Sequence, residues 1–181
     1  MKLVALCGLL LAGCTGPGTP IAPPATTSPP IAAPSTRTAP ASPVASLLDV
    51  TCSQAIANHP TPDTAAPVLD AVSLPVGTTL AITHHPRPGW LAVKHPLGIR
   101  ATAAVEVQVA PAAADRARIG WGLPGAMVTH LRTVPCAHTS GWLFYPGGYE
   151  VTAPMCVPLL VRAGGRETQV GIGIGAACPP G

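Results

Sequence analysis

The sequence predicts an all-β domain: an antiparallel β-sandwich of immunoglobulin-like architecture with about seven strands, stapled by disulfides. Three observations carry this. Beyond residue 46, short runs rich in Val, Ile, Leu and Thr are separated about every ten residues by Gly and Pro turns. The run at 99–109 alternates, with Ala101, Ala103, Val105, Val107 and Val109 on one face and Thr102, Glu106 and Gln108 on the other. The same stretch holds an even set of cysteines, Cys52, Cys136, Cys156 and Cys178.

Taken in order, 47–58 reads as a short helix carrying Cys52 and ended by His59-Pro60. A strand region at 72–83 follows, with Leu74, Val76, Leu80 and Ile82 broken by Gly77. Pro86-Arg87-Pro88-Gly89 is a turn into a strand at 90–95, and 99–109 is the clearest strand. The Ala-rich 111–118 reads as a helical turn or loop. Strands at 127–134 and 142–145 come next, then 149–161 after Pro146-Gly147-Gly148, and 168–176 after Gly164-Gly165. Trp90, Trp121 and Trp142 each adjoin glycine, but their unequal spacing defines no repeat.

The N-terminus has its own logic. Met1-Lys2 is a minimal positive region, and residues 3–12 are an uninterrupted apolar run. As a helix this run reaches about 15 Å, half a bilayer, so it reads as a signal-peptide core over 1–13 and not as a membrane span. It ends in Leu11-Ala12-Gly13-Cys14, which resembles the lipobox of bacterial lipoproteins. The resemblance implies cleavage before Cys14, a diacylglyceryl group on its sulfur and acylation of the new terminus. One acyl chain, at roughly 0.8 kcal/mol per buried methylene, binds membranes marginally, so two or three are needed for a stable anchor. Cys7 leaves with the signal. Residues 15–46 are almost wholly Pro, Ala, Thr, Ser and Gly, with nine prolines and a single charge at Arg37. Such a segment cannot offset its ordering entropy, so 14–46 reads as the lipidated cysteine and a disordered tether, and 47–181 as one domain. Extended, the tether spans on the order of 100 Å.

Composition excludes several classes. Nineteen Gly and 24 Pro among 181 residues leave no heptad-rich stretch for a coiled coil. A net charge of +3 with scattered Lys and Arg provides no nucleic-acid stripe.

The four domain cysteines read as two disulfides, since no Cys-x-x-Cys exists to hold zinc or act as a redox pair. If the Gly164-Gly165 turn joins neighbouring strands, Cys156 stands opposite about residue 173. Cys178 would then lie five residues along the strand, roughly 16 Å away. This disfavours Cys156–Cys178; of the two remaining connectivities, the reading leans to Cys136–Cys156 with Cys52–Cys178.

Sites for chemistry are sparse. His84 and His85 are adjacent, so a strand points them to opposite faces, and His95, His130 and His138 could join them only through folding; no metal or other cofactor is expected. The carboxylates, from Asp49 to Glu167, include no close pair, and Glu106 falls on a polar face. No Gly-x-Ser-x-Gly elbow occurs, and His138-Thr139-Ser140 reads as a loop. Gly171-Ile172-Gly173-Ile174-Gly175 lacks dinucleotide spacing; alternation buries Val170, Ile172 and Ile174 instead. Most aromatics should anchor the core, but Trp142, Phe144, Tyr145 and Tyr149 form a candidate ligand-binding surface for a sugar, peptide or lipid.

The signal, the Pro/Thr/Ala stalk and the pattern Gly147-Gly148-Tyr149-Glu150-Val151-Thr152-Ala153-Pro154 through Cys156 to Cys178 resemble exported lipoproteins of high-GC Gram-positive bacteria. The expectation is a non-enzymatic lipoprotein on the extracytoplasmic face of the cell membrane. It is held by lipid on Cys14 and binds a protein or cell-wall partner, not nucleic acid. The alternative is a carrier of a lipid or other apolar ligand between the sheets, ahead of a metal-dependent or hydrolytic enzyme.

Overall fold

Alternating apolar and polar residues, punctuated by turn formers, fold about half of the described domain into strands. The computed structural model describes residues 47–122 and 126–180, all within one compact unit, Ser42–Gly181. The signal, Cys14 and the tether lie outside the described residues.

The described strands are β1 (Leu47–Val50), β2 (Ala57–His59), β3 (Val72–Ser73), β4 (Thr79–Leu80), β5 (His84–Arg87), β6 (Trp90–Lys94) and β7 (Leu97–Arg100). They continue as β8 (Val105–Val109), β9 (Ala117–Trp121), β10 (His130–Thr133), β11 (Trp142–Tyr145), β12 (Gly147–Val151), β13 (Met155–Ala163) and β14 (Arg166–Ile174). Short 3-10 turns occupy Cys52–Gln54 and Pro111–Ala113. The fold is an all-β sandwich with two disulfides, but it has fourteen described strands, twice the expected count. They form three sheets: a six-stranded β1-β10-β8-β13-β14-β4, and four-stranded β2-β11-β7-β3 and β5-β6-β12-β9. Pairing is antiparallel except at β1 with β10 and β14 with β4, both at the rims of the large sheet.

All three sheets feed one core. The large sheet contributes Val105, Val107, Val157, Leu159, Val161 and Ile172; the others bring Leu97, Ile99, Ile119, Tyr145, Tyr149 and Val151. At roughly 25 cal/mol per Å², removing these side chains from water is the main stabilising term. Trp121 and Tyr149 meet edge to face, ring centroids 5.2 Å apart. The Trp121 Nε1–H donates to the His95 carbonyl at 2.8 Å, so the indole is buried with its donor satisfied.

On the outward face of the large sheet, one register row crosses five strands. Asp49, Arg132, Glu106, Arg162 and Glu167 stand directly opposite one another in turn. Asp49 pairs with Arg132 at 2.8 Å, and Arg162 with both Glu106 and Glu167. Opposite charges in directly paired positions fix the register of strands whose inner faces are largely aliphatic. Glu106 thus occupies the polar face expected of it, with His130 Nε2 3.3 Å from its carboxylate.

Several expectations need correction. Residues 47–58 form no α-helix: β1 lies along β10, the Cys52 turn follows and β2 joins β11. A segment this short is marginal as a helix, and pairing with a ready sheet edge wins. The run at 99–109 is two strands in two sheets, because the chain turns at 101–104 although the apolar alternation reads through. Likewise 149–161 splits at 152–154 into β12 and β13.

The disulfides are Cys52–Cys136 and Cys156–Cys178, not Cys136–Cys156 with Cys52–Cys178. Cys156 does stand opposite Gly173. The error lay in extending the strand: β14 stops at Ile174, Gly175 takes φ +65°, and the chain doubles back to bring the Cys156 and Cys178 Cα atoms to 4.8 Å.

Candidate functional site

The aromatic cluster proposed for ligand binding is not a surface. Trp142, Phe144, Tyr145 and Tyr149 are all buried, at 4% exposure or less. Tyr145 and Tyr149 point into the shared core. Phe144 packs against His59 at 5.1 Å and rests on Gly98, where a Cβ would come 2.8 Å from its ring. Trp142 lies beneath the Arg100 guanidinium, 4.9 Å from the ring centroid. Burial follows from chain position, because β11 is a central strand with β2 on one side and β7 on the other.

The histidines do not converge. His85 and His138 are exposed, His130 goes to Glu106, and the His95 Nδ1 lies 2.8 Å from the Pro96 carbonyl. Among the described residues, no three His, Cys, Asp or Glu side chains are grouped to hold a metal ion.

The structure instead singles out the outward face of β5-β6-β12-β9. Trp121 and Trp142 are fully enclosed, whereas Trp90 is half-buried at the start of β6. Two guanidinium groups lie over its ring, Arg87 at 4.7 Å and Arg118 at 4.8 Å from the centroid. Arg87 arrives because the Pro88-Gly89 turn pairs it with Trp90. Arg118 arrives across the sheet, on β9 in register with Glu150 and, beyond it, with Ala92. Arg87 Nη2 donates to Glu150 Oε2 at 2.5 Å. That carboxylate is buried at 8% residue exposure, so the guanidinium supplies the charge it would otherwise lack.

Beside this cluster lies a cleft of about 270 Å³. Alternation gives it a floor of Ala92, Gly148 and Gly120 from three adjacent strands. The floor stays low for steric reasons. A Cβ at Gly120 would meet the Ala126 carbonyl oxygen at 2.6 Å and Met127 Sδ at 2.7 Å, and one at Gly148 would collide with the Val93 carbonyl. His84, Lys94, Met127 and the buried Glu150 also line it.

No protein-family model, curated protein or solved structure matches the chain.

The charge distribution distinguishes this face from the others. Arg87, Arg116, Arg132, Arg162 and Arg166 each have a carboxylate within 4 Å. Arg100 donates to the Asp70 carbonyl and covers Trp142. Among the described basic residues, Lys94, Arg100 and Arg118 have no carboxylate within 4 Å, and Lys94 and Arg118 stand on this one face with β12 between them. Sequence reading passed over Trp90 because proximity in the chain pointed to 142–149. The available signal was the Pro86-Arg87-Pro88-Gly89-Trp90 turn, which must place a cation beside the indole.

Proposed function

We propose that the chain is a non-enzymatic binding module of the cell envelope, anchored by lipid on Cys14 and carried on its Pro-rich tether. Its recognition surface is the outward face of β5-β6-β12-β9, and its partner is an anionic envelope component. The observation that carries the reading is Lys94 lining a small-residue floor with Arg118 beside it, two cations of one face with no carboxylate within 4 Å. An anionic group entering there meets Lys94 and neighbouring Arg118, which Trp90 holds in place, while the Glu150 charge between the two strands is taken up by Arg87. Glu150, paired with Arg87, lines the same cleft and disfavours groups that place negative charge against it.

The test is retention of the full chain, exported with its disulfides formed, on immobilised polyglutamate, a uronic-acid polymer and neutral dextran. Retention on either polyanion that weakens with salt and is lost in Lys94→Gln/Arg118→Gln supports the reading. Equal retention on dextran, or an unaltered double variant, overturns it. Separately, Cys14→Ser should move the protein out of the membrane fraction.

A further inference from the structure

A second site stands away from this face, where the chain takes a conformation that L-residues avoid. Leu69 and Asp70 are consecutive non-glycine residues with φ +52° and +59°. They sit at the tip of a tight turn closed by Val68 and Val72, whose backbone groups exchange bonds of 2.8 and 3.0 Å. Two left-handed residues in succession persist only where their surroundings impose them, and such strain collects at binding sites.

Here the surroundings are two arginines from different sheets. Arg100, at the end of β7, donates from Nε to the Asp70 carbonyl at 2.7 Å. Arg166, opening β14, donates from Nη2 to the Leu69 carbonyl at 2.8 Å and reaches Asp70 Oδ2 at 3.4 Å. Each guanidinium carries five donors and spends only part of them on this turn. Both line a cleft of about 530 Å³ with Asp70 and Thr102, and the rest of its wall is apolar, chiefly Leu69, Ala103, Ala104, Pro135 and Ala163. Its volume lies within the range of small-molecule sites.

We propose that this cleft binds an amphiphilic anion, with a carboxylate or phosphate head between Arg100 and Arg166 and a short apolar body along Ala103, Ala104 and Pro135. The exposed Asp70 carboxylate is a stand-in for that head. At 3.4 Å it is held loosely by Arg166 and is displaced by a ligand oxyanion that accepts from both guanidinium groups in better geometry. The left-handed turn holds the two carbonyls that aim the arginines, so the donors are oriented before the ligand arrives. This site is independent of Lys94 and Arg118.

The experiment titrates the full chain carrying Cys14→Ser, with disulfides formed, using octanoate, octyl phosphate, octyltrimethylammonium and inorganic phosphate. Backbone amide shifts of Leu69, Asp70, Ala71, Ala103 and Ala104 are followed. Saturable shifts with octanoate or octyl phosphate are expected, and which of the two binds more tightly identifies the head group. Arg166→Gln should weaken binding at least ten-fold. Asp70→Asn should tighten it several-fold, since Asn tolerates the left-handed region and removes the competing charge. Equal binding of octyltrimethylammonium overturns the arginine assignment, and equal binding of inorganic phosphate overturns the apolar one. No saturation in a folded protein, or weaker binding in Asp70→Asn, overturns the site itself.

Discussion

The disulfide between Cys156 and Cys178 lies directly over Gly171, where an added Cβ would stand 2.8 Å from each sulfur. The glycine is therefore required by close approach of the bridge and not by turn geometry. Gly171→Ala should destabilise by about 1–3 kcal/mol, the usual penalty for overpacking. Removing the bridge in Cys156→Ser/Cys178→Ser should cost about 3 kcal/mol for a separation of 22 residues. Adding Gly171→Ala to that bridge-free background should cost less than in the native protein. Guanidinium unfolding of the four proteins closes the cycle, and strict additivity would refute the contact.

How far the sequence carried the fold can be judged at particular residues. β11 was legible because four large apolar residues between Gly141 and Pro146 permit little else. Alternation correctly buried Val105, Val107 and Val109. It also put Ala101 in the core, but the strand it implied through Ala101 and Ala103 does not form, because the chain turns at 101–104. The hairpin register opposite Cys156 was legible from Gly164-Gly165, whereas the fold-back after Gly175 was not, because a glycine beyond alternating Gly and Ile reads as more of the same strand. Trp90 is the clearest omission. Its role comes from Arg118, 28 positions away in sequence and brought over the ring by sheet pairing.

Tyr145 and Tyr149 are the chain's two tyrosines, and burial raises both phenol pKa values above the ordinary 10.0, Tyr149 much the further. The folded protein therefore holds these protons more tightly than the unfolded chain. Their contribution is fully present below pH 10 and is lost as pH rises beyond the unfolded value. Phenolate absorbance should appear together with loss of near-ultraviolet circular dichroism, in one alkaline unfolding step. A reversible phenolate signal near pH 10 in a folded protein would contradict the burial. The Tyr149 hydroxyl also has no hydrogen-bond partner, so Tyr149→Phe should stabilise by about 1 kcal/mol.

The row Asp49–Arg132–Glu106–Arg162–Glu167 is exposed, so its value is in register more than in stability. Glu106→Gln should leave the unfolding midpoint almost unchanged and reduce what little salt dependence this row contributes, since Asp49–Arg132 and Arg162–Glu167 remain and at 1 M salt the Debye length is about 3 Å. Glu106→Lys places three cations in adjacent register between β10 and β13 and should lower the midpoint visibly at low salt, with recovery at 1 M salt. A loss that high salt leaves intact would assign Glu106 a packing role instead.

Among the described residues, Arg87 and Glu150 form the one ion pair in which a partner is buried, with the carboxylate side chain at 10% exposure and the guanidinium at 41%. Removing either partner is therefore not symmetrical. Arg87→Ala leaves a buried carboxylate with its donor gone and strips one cation from Trp90, and it should cost about 2–3 kcal/mol. Glu150→Gln removes the charge but keeps an acceptor for the guanidinium, and it should cost about 1 kcal/mol or less. The double variant should be more stable than Arg87→Ala alone, because Gln no longer needs a cation. Arg87→Lys should rescue only in part: an ammonium can reach the carboxylate but cannot lie flat over the indole. Urea unfolding of the four variants measures each step. If Arg87→Ala and the double variant unfold together, the Glu150 carboxylate is solvated and the pair does not organise this face.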